Sequence, residues 1–339
     1  MGRRHADNLA RSPSVDLVRV VDADEGAART TGAELGVEWS TSFDDLLRDP
    51  RIEGVVLATP TALHAAMVEQ AAAAGKHVFC EKPIAIELAP TLHAVEAAAA
   101  ARVKLQVGFH RRFDPDWAAA RERIARGELG DVYLFRSSLR DPRPPAMDYV
   151  SGAGGLFVDV TIHDLDTARW MVGEIEEVTA VGAALSDPAF ETMGEVDHGI
   201  VMLRFASGAL GVIDNSRASG YGYECSAEVM GSQATVRIDR HRRVYNEWLT
   251  AGTASVERVM TFTELFQDAY RTELESFAAA IREDRPPAVT GGDALAAFML
   301  ACACERSLHE GRTIRLEREE GPGGAAYQLQ AIEAKGGSR

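Results

Sequence analysis

The fold class this sequence predicts is α/β: a doubly wound parallel sheet, followed by an α+β domain on a large, open, mainly antiparallel sheet. Two observations carry it. Residues 15–108 alternate short apolar runs with longer Ala-rich periodic segments, as strands do when helices cover both faces of their sheet. Residues 175–262 instead present one β-rich run after another, separated by turn glycines and polar residues. At 339 residues the chain exceeds what one small core serves and suits two domains.

Taken in order, Val15 to Val21 reads as a strand and 24–36 as a helix. Gly54 to Ala58 is a compact buried strand, and Ala62 to Ala74 is a helix ending at Gly75. His77 to Cys80 is the next strand, then come an Ala-rich helix to Ala101 and a strand from Lys104 to Gly108. Beyond 110 the pattern changes. A helix over Trp117–Arg126 leads to a strand at Val132–Leu139 and a helix over 155–172. Strands follow at Val178–Leu185, Ile200–Phe205, Leu210–Asn215, Cys225–Met230, Ala234–Ile238 and Arg243–Leu249. Helices at Glu264–Glu283 and Asp293–His309 close the chain, and the apolar side of the first (Phe266, Tyr270, Leu274, Phe277) should cover a sheet face. The expected domains are 1–108, 109–318 and a mobile Gly/Ala-rich tail over 319–339.

Composition excludes several classes. With 46% hydrophobic and 26% charged residues the chain resembles an ordinary globular protein. A net charge of −15 argues against nucleic acid or an anionic membrane as partner. No apolar run approaches the roughly 20 residues that span a bilayer. The start Met1-Gly2-Arg3-Arg4-His5 lacks the apolar core of a secretory signal. Cys80, Cys225, Cys302 and Cys304 form no Cys-x-x-Cys pair, so free thiols in a reducing cytoplasm are expected.

Chemistry concentrates in a few places. Asp159 and His163 stand four residues apart after the pair Gly154-Gly155. In a regular helix Asp159, His163 and Asp166 share one face, with Val158, Ile162, Leu165 and Val172 as an apolar stripe. A carboxylate one turn from an imidazole fixes its tautomer and raises its basicity, which suits proton transfer near neutral pH. The bland reading is a charged pair on a solvated face. No second His or Cys cluster completes a metal site there.

Ligands of doubly wound sheets bind beyond the carboxyl ends of the strands. There the sequence places Asp22, then Ala58-Thr59-Pro60-Thr61 with His64, then Glu81-Lys82-Pro83. A carboxylate at Asp22 would accept from ribose hydroxyls and repel a 2′-phosphate, favouring NAD over NADP. Its bland reading, shared with Asp24, is a helix cap. Thr61 is a candidate cap, and the lysine is a weak signal by itself.

Together these segments, with Val107-Gly108-Phe109-His110-Arg111-Arg112-Phe113, resemble the Gfo/Idh/MocA oxidoreductases, particularly their inositol 2-dehydrogenase branch, over residues 2–316. The resemblance implies a Rossmann-type first domain, with Lys82, Asp159 and His163 as catalytic residues. It places Gly2, Arg3, Asp22, Ala58, Thr59, Pro60, His64, Glu81 and Lys82 at the cofactor, and His110, Arg111, Asp141, Asp166 and Tyr223 at the substrate. Arg111 (as a salt bridge) and Tyr223 (as a core tyrosine) equally suit purely structural roles, and for Asp141, beside Pro142, Pro144 and Pro145, the structural role is the favoured one. It implies NAD, a polyol or sugar substrate, no metal, and a homodimer or homotetramer. Family members open on a strand ending in Gly-x-Gly-x-x-Gly. Here Gly2 stands as the third glycine, so the first strand and two glycines are absent; the natural start is expected further upstream, the alternative being a truly shortened chain that binds the dinucleotide poorly or not at all. Alternatives are a sugar or keto-sugar oxidoreductase and a non-catalytic ligand sensor on the same fold.

Overall fold

The computed structural model describes residues 1–240, 247–321 and 324–332. By its internal contacts the chain divides into two units, one of Met1–Phe113 with Asp268–Leu295, the other of Asp114–Gln267 with Ala296–Arg339. The division is not contiguous, unlike the expected 109–318 domain.

The N-terminal unit opens with α1 (Gly2–Arg11), β1 (Arg19–Val21), α2 (Glu25–Leu35), β2 (Glu38–Ser40) and α3 (Phe43–Arg48). It continues with β3 (Gly54–Leu57), α4 (Thr61–Ala73), β4 (His77–Cys80), α5 (Leu88–Ala100) and β5 (Leu105–Val107). Short polar side chains start α2 and α3, Asp24 accepting from the Ala27 N–H and Ser42 from the Asp45 N–H. Strands β1 and β2 pair in parallel, and β3, β4 and β5 form a separate parallel sheet. The register Leu57↔Cys80↔Val107 ends all three strands of that sheet at one level. The loops after them therefore emerge side by side.

The second unit holds α6 (Pro115–Ala125), β6 (Val132–Arg140), α7 (Met147–Ala153), α8 (Ile162–Val172), β7 (Ile175–Ala183), α9 (Pro188–Thr192), β8 (His198–Phe205) and β9 (Leu210–Ser216). After these come β10 (Glu224–Gly231), β11 (Thr235–Arg240), β12 (Trp248–Thr250), β13 (Thr253–Ser255) and α10 (Phe262–Leu265). The chain closes with α11 (Gln267–Arg282), α12 (Gly291–Glu310), β14 (Thr313–Gly321) and β15 (Gly324–Ile332). Its eight-stranded sheet runs β11-β10-β6-β9-β8-β7-β14-β15. Neighbours are antiparallel except β6 and β9, which run parallel. Alternation decides the faces: along β8, Val201, Leu203 and Phe205 are buried while Ile200, Met202 and Arg204 face out.

Three expectations need correction. The tail from 319 extends β14 and then forms β15, paired from Thr313↔Ile332 to Gly321↔Gly324. Leu329 and Ala331 alternate there with Gln328 and Gln330, a strand period that the Gly/Ala-rich composition obscured. Second, α11, expected within the 109–318 domain, belongs to the first unit, and the sheet face it covers is that of the parallel sheet. Its Leu274 and Phe277 join Leu9 and Phe79 in one core cluster, with Val56 and Ile281 packed against it. The next segment adds to the β5 edge, where the Val107 N–H donates to Val289 O and Gln106 bridges Thr290. Third, residues 155–172 are not one regular α-helix: a wide π turn, Phe157–Thr161, precedes α8. The strand expected at Arg243–Leu249 lies mostly outside the described residues, and its end opens β12. Among the described residues no helix is long and apolar enough to cross a membrane.

Phe277 ties a segment distant in sequence to the parallel sheet, its ring 6.1 Å from that of Phe79. Phe277→Ala is expected to lower the unfolding free energy by about 3–5 kcal/mol, read from the urea midpoint. A loss below about 0.5 kcal/mol would contradict this packing.

Candidate active site

In the N-terminal unit, the aligned ends of β3, β4 and β5 gather most of the residues expected at the cofactor. Gly2 begins α1, and a Cβ there would lie 3.9 Å from Ala58, the residue after β3. Arg3 is exposed and ion-paired with Asp7 and Glu34. Asp22 is exposed at the end of β1 and accepts from the Asp24 N–H at 3.0 Å, while Asp24 takes the helix-cap role. Thr61 does not cap α4: Pro60 occupies the cap position and Thr61 is already helical. The Thr59 hydroxyl turns to Met67 Sδ at 3.6 Å.

His64 is a clasp. Its Nε2 lies 2.8 Å from Thr59 O and its Nδ1 2.9 Å from Pro83 O, so one buried ring ties the loop after β3 to the corner after β4. In that corner the Lys82–Pro83 peptide is cis and Lys82 is half-buried. Glu81 points inward, its Oε1 2.6 Å from His5 Nε2. Burial pushes the Glu81 carboxyl up, but the His5 hydrogen bond and the charges of His5, Lys82 and His64 outweigh this and hold it below the ordinary range.

After β5 a short 3-10 turn, His110–Phe113, buries both His110 and Arg111. The His110 ring stacks on Tyr270 of α11 at 4.7 Å. Burial, then the charges of Arg111, Lys82 and His5, drive His110 well below the ordinary histidine value. It is therefore a neutral ring, able to donate from one nitrogen and accept at the other.

The second unit holds the other half of the expected residues. Gly154 closes α7 and Gly155 follows, both with φ +80°. The positive φ at Gly155 favours glycine there, and a Cβ would come within 2.8 Å of the flexible carboxylate ends of Glu195 and Glu305. The π turn then carries Asp159, and α8 carries His163 and Asp166, all buried. Such wide turns recur at functional sites. Asp159 is held at both oxygens: Tyr149 donates to Oδ1 at 2.9 Å and Arg217 Nη1 to Oδ2 at 3.0 Å. Arg217 is itself buried and also reaches Gly155 O at 3.4 Å. Burial, then the Asp159 charge, pushes the Tyr149 hydroxyl up, so Tyr149 stays a donor.

Sequence reasoning missed Tyr149 and Arg217. Their one available signal was position, just before the glycine pair and just after β9. The neighbouring Asp164 is wholly interior, accepting from the Ser137 hydroxyl and from Asn215 Nδ2. Asp141 continues from β6, with its N–H on Ser216 O, and its charge acts on Tyr149. Tyr223 is buried, its ring 6.4 Å from Phe262 and its N–H on Val259 O.

Comparison with known proteins adds a separate line of evidence. Residues 1–109 match the oxidoreductase family with an NAD-binding Rossmann fold, and residues 117–237 match the GFO/IDH/MocA C-terminal domain. The chain is 39% identical to the myo-inositol 2-dehydrogenase of Thermotoga maritima over 321 residues, covering 94% of this chain and 96% of that protein. It is 37% identical to the scyllo-inositol 2-dehydrogenase (NAD(+)) of Bacillus subtilis, covering 94% of each. The crystal structure of scyllo-inositol dehydrogenase from Lactobacillus casei with bound NAD(H) and scyllo-inositol superposes with a TM-score of 0.86 at 28% identity, over 93% of this chain and 95% of that one. With both of its domains matched and relatives alike along nearly its whole length, the chain belongs to the Gfo/Idh/MocA oxidoreductase family.

Proposed function

We propose that this protein is an NAD-dependent dehydrogenase that oxidises a secondary alcohol of a cyclic polyol of the inositol type. The observation that carries the reading is the buried Asp159–His163 turn, whose carboxylate is held at both oxygens by Tyr149 and Arg217. A sensor of ligands needs no such fixed proton-transfer pair. Free thiols at Cys80, Cys225, Cys302 and Cys304 fit a reducing cytoplasm.

The residues present fit a dinucleotide. The N-terminus of α1 has no side-chain cap, which suits it to the pyrophosphate, with Gly2 and Arg3 in its first turn. Asp22, exposed at the end of β1, suits the ribose hydroxyls and disfavours NADP. Ala58, Thr59 and Pro60 line the next strand end, with His64 and Glu81 bracing the loops from within. When bound, NAD supplies the hydride acceptor.

The protein's own residues handle the proton and the charge. His163 takes the hydroxyl proton as the carbonyl forms. Lys82 donates to the same oxygen as negative charge grows on it, a contact stronger in the transition state than in the alcohol. Asp159, kept anionic by Arg217, favours the imidazolium once the proton has arrived. His110, Arg111, Asp141 and Asp166 are the proposed readers of the remaining hydroxyls, and Tyr223 shapes that wall.

The outer face of the large sheet is proposed to pair with a second copy, as a dimer or within a tetramer. Ile200 and Met202 on β8 are 48% and 56% exposed and neighbour Val181 across the β7 register. Arg204, Glu177 and Arg315 pair beside them in mixed charge, so like faces meet without net repulsion. Met202→Glu should leave a monomer in sedimentation, and an unchanged assembly would exclude this face.

Three further outcomes are expected. The full chain forms NADH with inositols ahead of hexoses, and no NADH with any cyclic polyol would overturn the reading. His163→Ala lowers kcat by about 10²–10⁴-fold and Lys82→Met by about 10²–10³-fold, with unchanged turnover in either removing its assigned role. Arg217→Met leaves Asp159 buried without its cation and costs about 3–5 kcal/mol of stability by chemical denaturation.

A further inference from the structure

Behind the Glu81–Lys82 corner, three ionisable groups from three separate segments meet in the interior of the N-terminal unit. His5 on α1 is 1% exposed, Glu81 after β4 is 9% exposed, and Glu273 on α11 is 0% exposed. One side-chain N or O atom from each lies within 4.8 Å of those of the other two. His5 and Glu81 are bonded to each other, yet neither carboxyl oxygen of Glu273 has a hydrogen-bond partner among the described residues. The helix cannot slide to relieve this, because Gln106 Nε2 donates to Glu273 O at 2.7 Å. Aromatic rings wall the cluster: Phe79 lies 5.5 Å and Tyr270 6.1 Å from the His5 ring.

A second bare carboxylate in that setting costs several kcal/mol, so it is neutralised by a cation or by a proton. The surroundings decide between them. Lys82, His5 and His64 already act on Glu81, and Arg4 and Arg111 act on Tyr270 beside it. That cationic wall offsets one carboxylate and repels a divalent ion. A proton remains.

We propose that Glu273 is a positioning residue, a buried carboxylic acid that donates a hydrogen bond to the Glu81 carboxylate and thereby fixes Glu81 behind Lys82. A side-chain rotation or one bridging water closes a gap of this size. Burial, then the Glu81 charge, pushes the Glu273 carboxyl well above the ordinary value. The Glu81 carboxylate so fixed places its negative charge beside Lys82, the group proposed to donate to the substrate oxygen. The inference rests on the role proposed for Lys82.

Two variants of the full chain test it. Glu273→Gln keeps a neutral donor of similar shape, while Glu273→Leu keeps the bulk and removes the donor. In Glu273→Leu, Glu81 loses that donor, so kcat should fall about tenfold with little change in KM for inositol. Glu273→Gln should restore kcat. At neutral pH, infrared difference spectra of wild type against Glu273→Gln should show loss of a protonated-acid C=O stretch, a readout that stands even if the Leu variant fails to fold. Linkage gives a sign as well. A carboxyl raised in the folded state is tolerated fully below its ordinary value and costs stability as pH rises toward its folded value. The melting temperature of Glu273→Gln should therefore gain on wild type with rising pH. Absence of the C=O band, a folded Leu variant with unchanged kcat, or a stoichiometric divalent metal in the purified protein would overturn the proposal. If Lys82→Met is inactive while these fail, only this inference falls; an active Lys82→Met removes the reading beneath it.

Discussion

Burying an ionised side chain in an apolar interior is tolerable only when a partner comes with it, and that requirement organises both units of this chain. In the second unit Asp159 sits in a buried turn because Arg217 and Tyr149 meet its two oxygens. In the first, Glu81 turns inward because His5 is there to meet it. Each pairing joins segments far apart in sequence, so the charges are compensated only once the chain has folded. The reactive residues are adjacent to these buried pairs in sequence, Lys82 next to Glu81 and His163 one turn from Asp159, which limits how freely they can move.

Backbone geometry supplies the rest of that precision. Parallel register ends β3, β4 and β5 at one level, and His64 fastens two of the loops that follow. The glycine pair turns the chain into the π turn, where the carboxylates of Glu195 and Glu305 would meet any side chain at 155. Helix α11 returns from late in the sequence to complete the core around Phe79 and brings Tyr270 and Glu273 with it. A segment recruited for packing thus also delivers polar groups behind the lysine corner.

Much of this was legible in the sequence, and the misreadings have identifiable causes. The strands 54–57 and 77–80 and the helices α4 and α5 fell close to where their periodicity set them. The lysine corner and the Asp/His pair stood out by residue type and order. The regular helix expected over 155–172 failed because no local preference specifies a π turn. The tail was misjudged because glycine and alanine counts hid a period of two. Arg217, Tyr149, His5 and Glu273 carried no local mark, since each matters only through a partner at least ten residues away.

Local patterns thus determined which segments become strands and helices and which residue types could do chemistry, because periodicity and turn residues act over a few positions. Tertiary structure alone decided which charges are paired, which ring clasps which loop, and which helix closes which sheet. Those outcomes depend on contacts between segments that only the closed chain brings within hydrogen-bonding distance, where the cost of desolvation makes one arrangement acceptable and its neighbours not.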